Sequence, residues 1–304
     1  MPRGMSATAL HAPRPFEVDI DGISMSGLIS AVEEPRAVLL AWHGGATSPE
    51  YYDSPGHPRH SLMRLGAELG FTVLAPDRPG YGSSRAALGD VVGAERQVEL
   101  AFDVVDEALR DLPRGAGLSL LGHSQGCVMA MRMAAHDRGS QFIGLEIAGT
   151  GVTRSERADS AHTPSCDAGR ARGTLRNLLW EPARLYQGRE PVLRPPPQFD
   201  GADASTWPQE FAALAPRVTV PVRISLGDHE YWWQAPPAGL NAMAAHFTSS
   251  PRVVADELFE AGHNTSLGIS AFAYHLQVIA FVEQCVLMQS SLGSETTAME
   301  TDNA

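Results

Sequence analysis

The sequence contains few cysteines and no recognisable leader or membrane segment. Three of its 304 residues are cysteines, and Cys127, Cys166 and Cys285 form no C-x-x-C pair. This spacing predicts neither a metal site nor a disulfide framework, and the odd number favours a reducing compartment. Residues 1–15 lack the apolar stretch of a secretory leader, and we find no later run long enough to span a bilayer. We expect a cytoplasmic protein with no membrane partner.

Basic residues are outnumbered by acidic ones. Lys and Arg total 23 against 35 Asp and Glu, which gives a formal net charge of −12. Because such a surface repels phosphates, we expect no nucleic-acid partner. Hydrophobic residues at 43% and charged residues at 19% are typical of a globular chain rather than a disordered or fibrous one. Composition identifies neither a substrate nor an oligomeric state.

Strand-like and helix-like segments alternate along most of the chain, which indicates an α/β fold. A hairpin is predicted first, with two strands joined by the turn residues Asp21 and Gly22. Short apolar runs then predict strands covered on both faces, and segments with apolar residues at helical spacing lie between them. The strands are expected at 16–20, 23–29, 37–42, 71–75, 118–121, 142–147, 218–226 and 253–258, and the helices at 60–69, 94–112, 125–136 and 269–287. This order predicts a mostly parallel twisted sheet with helices on both faces and an antiparallel edge.

The alternation stops between residues 153 and 217, where Pro, Arg and Gly are frequent. This segment is too long for an ordinary connection, so we interpret it as a lid inserted over one edge of the sheet. The core then consists of residues 15–152 and 218–288. Residues 289–304 lack apolar periodicity, and we expect them to form a disordered tail.

The sequence Gly-His-Ser-Gln-Gly at 122–126 fits the G-x-S-x-G pattern of a nucleophile elbow. In such an elbow the serine occupies a sharp turn between a strand and a helix, and the crowded backbone requires small neighbours. A predicted strand precedes this motif and a predicted helix follows it. We therefore predict that Ser124 is a nucleophile, with its oxygen at a helix N-terminus, where developing negative charge is favoured.

A second motif, His-Gly-Gly-Ala at 43–46, directly follows a predicted strand. Attack on an acyl group creates an oxyanion that needs two hydrogen-bond donors. We assign one to the backbone N–H of Gln125, the residue after the nucleophile. The other is assigned to the backbone N–H of Gly45, with Ala46 as the second choice. Gly44 and Ala46 are also expected to line the substrate site.

Two motifs near the C-terminus supply a base and its partner. Ala-Gly-His-Asn at 261–264 lies between the last strand and the last helix, and we predict that His263 removes the proton of Ser124. The preceding strand ends in Leu-Gly-Asp-His-Glu at 226–230. Either Glu230, which we favour, or Asp228 fits the chain order serine, acid, histidine. The other carboxylate is expected to cap a turn.

Four aromatic residues are candidates for the substrate pocket. The loop Asp-Arg-Pro-Gly-Tyr-Gly-Ser-Ser at 77–84 is interpreted mainly as a rigid turn, and its Tyr81 is expected to face the pocket. Trp180, in the predicted lid, is expected to contact substrate as well, and Trp232 and Trp233 are further candidates. Packing in the core is the alternative for all four side chains.

The motifs in this order resemble those of the α/β-hydrolase superfamily. The five that match are His-Gly-Gly, Asp-Arg-Pro-Gly-Tyr-Gly, Gly-His-Ser-Gln-Gly, Gly-Asp-His-Glu and Gly-His, between residues 16 and 288. The resemblance implies an α/β-hydrolase fold with an inserted lid. Many members carry the acid three residues after a glycine, which is the position of Glu230 counted from Gly227. Ser124 stands where epoxide hydrolases and haloalkane dehalogenases use aspartate, which argues against both activities.

The expected function is that of a serine hydrolase that cleaves an ester or thioester of a small molecule through an acyl-enzyme on Ser124. This chemistry needs no cofactor. The same fold and triad also carry out hydrolysis of carbon–carbon bonds and lyase reactions, so that alternative stays open. A further alternative is a non-catalytic small-molecule binder on a hydrolase scaffold, although the filled triad positions favour chemistry.

Overall fold

A sheet of eight strands forms the centre of the protein in the computed structural model, which describes residues 12–54, 56–88, 93–136, 138, 141–161, 177–186, 196 and 198–302. The strands are β1 (Arg14–Ile20), β2 (Ile23–Ser30), β3 (Val38–Trp42), β4 (Thr72–Pro76), β5 (Leu118–His123), β6 (Phe142–Ala148), β7 (Val222–His229) and β8 (Val253–Gly262). Their order in the sheet is β1-β2-β4-β3-β5-β6-β7-β8. β2 pairs antiparallel with β1 and β4, and the other neighbours are parallel. The predicted sheet with an antiparallel edge is confirmed.

Helices pack on both faces of this sheet, as predicted. They are α1 (Leu62–Glu68), α2 (Arg85–Leu88), α3 (Ala94–Ala108), α4 (Gln125–Ala135), α5 (Glu156–Ala161), α6 (Gln198–Leu214), α7 (Ala238–Ala244) and α8 (Ala271–Asp302). Side chains of α3 and α4 contribute to a core on one face, and side chains of α1 and α8 contribute to a core on the other. β3, β4, β5 and β6 are buried along their whole length. Burial on both faces explains their continuous apolar sequences.

The first hairpin follows directly from its turn residues. Ile20 pairs with Ile23, so Asp21 and Gly22 form a two-residue turn. Both have left-handed backbone conformations, with φ of 54° and 84°. A turn with two such residues matches the right-handed twist of the strands on either side.

Three of the differences between the predicted and the observed elements have a local physical reason. β7 begins at Val222 rather than 218, because Pro221 has no N–H to donate to a ladder. α7 was not predicted, since its seven residues are too few to show a helical period. The segment 289–304, which we expected to form a disordered tail, overlaps α8, since this helix continues to Asp302. Extending an existing helix adds one hydrogen bond for each residue ordered, so elongation is far easier than nucleation.

α8 also contains the most apolar helical stretch of the described chain. Residues Ala271–Ser291 have a mean hydropathy of 1.4 and are long enough to cross a membrane, contrary to the expectation that the sequence holds no such run. Half of this stretch is buried within the protein. Tyr274, Val278 and Val282 pack in the core under the sheet. Packing in the core accounts for the apolar character of these positions.

Two arginines of the core bind α6, which lies in the segment predicted to be a lid. Arg132 of α4 donates hydrogen bonds to the carboxylates of Asp203 and Glu210, at 3.0 and 2.6 Å. Arg78, in the loop after β4, donates to both carboxylate oxygens of Asp200, at 3.0 and 2.8 Å. α6 is therefore attached to the rest of the protein by charged hydrogen bonds in addition to apolar contacts.

The pair of Arg78 and Asp200 is buried, with relative exposures of 3% and 5%. Burial raises the pKa of the Asp200 carboxyl, but the charge and hydrogen bonds of Arg78 and the hydroxyl of Tyr81 outweigh it, so the pKa lies below its ordinary value. Both partners are therefore charged at neutral pH. Loss of either partner leaves the other as an uncompensated charge inside the protein.

Breaking this pair should destabilise the fold. We expect Asp200→Asn to lower the free energy of unfolding by about 3 kcal/mol or more, because the charge of Arg78 stays buried without its counterion. Urea denaturation measures the change as a lower midpoint. Glu99→Gln is the control: Glu99 pairs with Arg96 at the surface, with side-chain exposures of 47% and 40%, and should cost less than about 1 kcal/mol. Equal costs for the two variants would contradict the prediction.

Acidification should weaken the fold through buried histidines. Burial lowers the pKa of His275 in α8, and of His123, to about 3. The unfolded value is about 6.5, so the unfolded chain binds these protons first. Stability from each neutral ring is complete above about pH 6.5 and is lost as the pH falls toward the folded value. His275→Phe should therefore flatten the slope of the free energy of unfolding against pH by up to about 1.4 kcal/mol per pH unit in this range.

Urea denaturation at a series of pH values measures this slope. His136→Gln serves as the control, because His136 is exposed at the end of α4, and its slope should match that of the wild type. A slope in His275→Phe equal to the wild-type slope would refute the assignment.

Candidate active site

Ser124 occupies a strained turn between β5 and α4. Its backbone lies at φ 50° and ψ −118°, a combination that is rare for residues other than glycine. The turn needs glycine on both sides. A Cβ at Gly126 would lie 1.9 Å from the carbonyl oxygen of Trp42, and a Cβ at Gly122 would lie 2.6 Å from the Cα of Cys127. The backbone N–H of Ser124 donates to the carbonyl of Ala148 at 2.9 Å, which ties the turn to β6.

His263 follows the last residue of β8 and reaches the serine. Its Nε2 lies 3.1 Å from Oγ of Ser124, and the residue is 3% exposed. The two atoms are within hydrogen-bond distance, so a proton can pass from the hydroxyl to the ring.

His123 fixes the position of His263 from behind. Its ring packs edge-on against His263 with the centroids 5.3 Å apart, and it stacks on Tyr51 at 4.4 Å. Because burial lowers its pKa to about 3, His123 is neutral. Its Nε2–H donates to the carbonyl of His263 at 2.9 Å. The contact holds the backbone of His263 without placing a second positive charge beside its ring.

Glu230 lies on the other side of the His263 ring. One carboxylate oxygen, Oε2, is 3.0 Å from Nδ1 of His263, and Oε1 is 3.3 Å from the same atom. The backbone N–H groups of Trp232 and Trp233 donate to Oε1 at 2.8 and 3.3 Å. Glu230 is 2% exposed, so the carboxylate has exchanged water for these protein donors.

Asp228, the other carboxylate that the spacing allows, faces away from His263. It accepts hydrogen bonds from the backbone N–H groups of Glu260 and Ala261, at 2.9 and 3.0 Å. Glu260 has a left-handed backbone with φ 51°, and these two bonds hold the bend that leads to His263. Asp228 thus stabilises a turn, as expected for whichever carboxylate did not meet the ring.

The predicted oxyanion loop lies beside the serine. Gly44, Gly45 and Ala46 line the same cavity as Ser124. A Cβ on Gly45 would lie 3.3 Å from Cγ of Gln125, so the two proposed donor residues are neighbours. Within the described part of the chain, the backbone N–H groups of Gly45 and Gln125 have no protein acceptor. The N–H of Ala46, our second choice of donor, is engaged instead, because it donates to the Tyr81 hydroxyl at 3.0 Å.

Tyr81 lies behind this loop and not in the cavity wall, contrary to the expectation from sequence. It is 1% exposed, and its hydroxyl donates to Asp200 at 2.5 Å. The guanidinium of Arg78 lies 4.8 Å from the centre of its ring. The rigid turn after β4 directs the ring inwards, where it takes part in attaching α6.

The cavity at Ser124 has a volume of about 540 Å³ and a largely apolar wall that includes four tryptophans. Trp180 lies in its wall, as predicted. The wall also contains residues that sequence reasoning did not assign to it, namely Thr150, Arg154, Leu179, Asp200, Trp207 and Asn264. Trp207 is held by a hydrogen bond from its Nε1 to the hydroxyl of Thr150, at 2.8 Å. The four tryptophans between residues 180 and 233 are a sequence signal that could have indicated the unassigned part of this wall.

No group of three or more His, Cys, Asp or Glu side chains suited to a metal ion is found among the described residues. Cys127 and Cys285 are free and buried, and Cys166 lies outside the described residues.

Comparisons with solved structures agree with this architecture. A bacterial membrane phospholipase A matches with a TM-score of 0.64 and 17% identity over 91% of this chain and 88% of that chain. A thermostable carboxyl esterase from Bacillus coagulans matches with a TM-score of 0.61 and 17% identity, over 90% and 99%. The thioesterase domain from the curacin biosynthetic pathway matches with a TM-score of 0.58 and 20% identity, over 88% and 99%. At these identities the likeness shows the fold.

The sequence comparison adds the family. Curated protein sequences give no match. The model of the alpha/beta hydrolase family matches residues 38–272, which include the elbow, the oxyanion loop and both C-terminal motifs. Because this match covers most of the chain, the protein belongs to the alpha/beta hydrolase family.

Proposed function

We propose that the protein hydrolyses an ester or thioester of a small molecule through an acyl-enzyme on Ser124. The observation that carries the proposal is the continuous chain from Ser124 Oγ to His263 Nε2, at 3.1 Å, and from His263 Nδ1 to Glu230, at 3.0 Å. A nucleophile, a base and a group that orients the base are the parts that acyl transfer requires. The similar structures named as phospholipase A, carboxyl esterase and thioesterase support the same reaction class.

In the first step His263 takes the proton of Ser124 as Oγ attacks the acyl carbon. The Glu230 carboxylate holds the Nδ1–H of His263 and stabilises the imidazolium that forms. The negative charge moves to the acyl oxygen, where the N–H groups of Gly45 and Gln125 donate to it. As the tetrahedral intermediate collapses, His263 passes its proton to the leaving alcohol or thiol.

In the second step water replaces the leaving group. His263, now neutral, takes a proton from the water molecule, and the oxygen of that water attacks the acyl carbon of the acyl-enzyme. Collapse breaks the bond to Oγ, and His263 returns the proton to Ser124. The products are the carboxylic acid and the free alcohol or thiol, with no change of oxidation state.

The insertion at 153–217 is the lid in this proposal. Its residues Leu179, Trp180 and Trp207 line the same cavity as the oxyanion loop. An apolar wall of this kind accommodates an apolar part of the substrate and limits the access of water during the first step.

The first test removes the nucleophile. Ser124→Ala should lower kcat for p-nitrophenyl esters and acyl thioesters by at least about ten-thousandfold, because no acyl-enzyme forms. Labelling by a fluorophosphonate probe should be lost in the variant and present at Ser124 in the wild type. Thermal unfolding of the two proteins should be nearly equal. Turnover retained by Ser124→Ala would overturn the proposal, and a parallel assay with β-diketones separates ester cleavage from carbon–carbon cleavage.

The second test compares the two carboxylates. Glu230→Gln should lower kcat by roughly ten-thousandfold, because the amide no longer stabilises the imidazolium. Asp228→Asn weakens the hydrogen bonds that hold a turn, at a cost of about 1 kcal/mol, and its kcat should stay within about tenfold of the wild-type value. Steady-state kinetics on one aryl ester measure both variants. The reverse ranking would assign the acid to Asp228.

A further inference from the structure

Two charged side chains of opposite sign, Arg154 and Asp200, line the cavity. Asp200 is compensated by the protein itself. Arg78 donates to both of its oxygens at 3.0 and 2.8 Å, and the Tyr81 hydroxyl donates at 2.5 Å. Its charge is thus balanced before any ligand binds.

Arg154 has no such partner. It is half-buried, and within the described chain it forms no ion pair, side-chain hydrogen bond or stacking contact with an aromatic ring. Other arginines with comparable or greater burial each pair with a carboxylate: Arg64 with Asp53, Arg78 with Asp200, Arg132 with Asp203 and Arg223 with Glu146. Acidic residues outnumber basic ones by 35 to 23, so an arginine without a counterion at a cavity wall is unusual for this chain.

The backbone at Arg154 is held in place. Arg154 forms an antiparallel bridge with Trp233. The N–H of Ser155 donates to the carbonyl of Trp232 at 3.0 Å, and the N–H of Gln234 donates to the carbonyl of Thr153 at 2.9 Å. The segment that carries Arg154 is therefore bound to the same two residues whose N–H groups hold Glu230.

The other polar groups of the cavity are largely engaged. The Asn264 side chain donates to the carbonyl of Leu179 at 2.8 Å, the Thr47 hydroxyl donates to the carbonyl of Gly44 at 2.9 Å, and Trp207 donates to Thr150. Arg154 is thus the charged group of the cavity wall that a ligand can still compensate. A guanidinium pairs strongly with a carboxylate or a phosphate, through two parallel hydrogen bonds.

We propose that Arg154 binds a carboxylate carried by the substrate, which makes the substrate an ester or thioester with an apolar body and a free carboxylate away from the scissile bond. This inference rests on the proposed function. A single guanidinium matches the charge of one carboxylate, whereas a phosphate dianion needs further cations that the described cavity wall does not provide. Arg154 is a specificity-determining residue in this proposal and takes no part in proton transfer.

The kinetic test compares matched esters in wild type and variants. The anionic substrates are 4-nitrophenyl half-esters of dicarboxylic acids of graded chain length, and the neutral ones are the same esters with the free acid converted to a primary amide. The pair of 4-acetoxybenzoate and 4-acetoxybenzamide places the charge on the alcohol side. In the wild type we expect kcat/KM to favour the anionic member of one series.

Arg154→Gln should lower this preference, measured as the ratio of kcat/KM for the anionic ester to kcat/KM for its neutral partner, by about tenfold to a hundredfold, which is the loss that a charged hydrogen bond produces. Arg154→Lys should keep part of the preference, because the charge remains without the planar fork. Arg157→Gln is the matched control, since Arg157 lies three residues further on, is exposed and stacks over Tyr231 outside the cavity. It should leave the preference unchanged.

A binding measurement separates this inference from the proposed function. In the Ser124→Ala background, calorimetry should show that the half-esters bind more weakly after Arg154→Gln, and that the neutral amides do not. If neutral esters are hydrolysed through Ser124 but Arg154→Gln leaves the preference unchanged, or lowers both substrates equally, this inference is overturned and the proposed function stands. If no ester is hydrolysed, the proposed function fails, and the binding measurement alone decides the role of Arg154.

Discussion

The buried pair of Arg78 and Asp200 joins the two parts of the molecule between which the cavity lies. Arg78 belongs to a loop of the core, and Asp200 belongs to the first turn of α6 in the insertion. Both side chains are almost completely removed from water, so each needs the other to compensate its charge. Together with the hydrogen bonds of Arg132 to α6, this pair holds the wall of the cavity that carries Trp207 in position.

The same pair also affects the loop beside Ser124. The Tyr81 hydroxyl donates to Asp200 and accepts from the N–H of Ala46, so the amide of Ala46 is directed to the interior. The N–H of Gly45, one residue earlier, remains without a protein acceptor in the described chain. The hydrogen bonds of Tyr81 thus have two effects. They attach α6 to the loop after β4, and they leave the amide of Gly45, rather than that of Ala46, available to a substrate. Asp200 of α6 is in this way connected to the loop through Tyr81 and the amide of Ala46.

Much of the fold could be predicted because its signals are local. Apolar runs predicted the buried strands, and the two glycines of the elbow predicted a turn too crowded for a larger residue at their positions. The pair of Arg78 and Asp200 could not be predicted, because its members are far apart in sequence and nothing in the insertion repeats with a helical period. Spacing alone left two carboxylates before the last strand. The two carboxylates differ in the direction of their side chains. Asp228 accepts from backbone amides, whereas Glu230 contacts the imidazole of His263.

The short ribbon between 153–155 and 232–234 has a consequence for exchanging parts among members of this family. The boundary of the insertion by sequence falls at residue 153, and a chimera cut there would remove Thr153 and Ser155 from their partners Gln234 and Trp232. The two amides that hold the Glu230 carboxylate would then lose the segment that supports them. A chimera should therefore keep residues 153–155 of the recipient protein and begin the exchanged segment after Ser155. The exchangeable segment is thus shorter than the composition of the chain suggests.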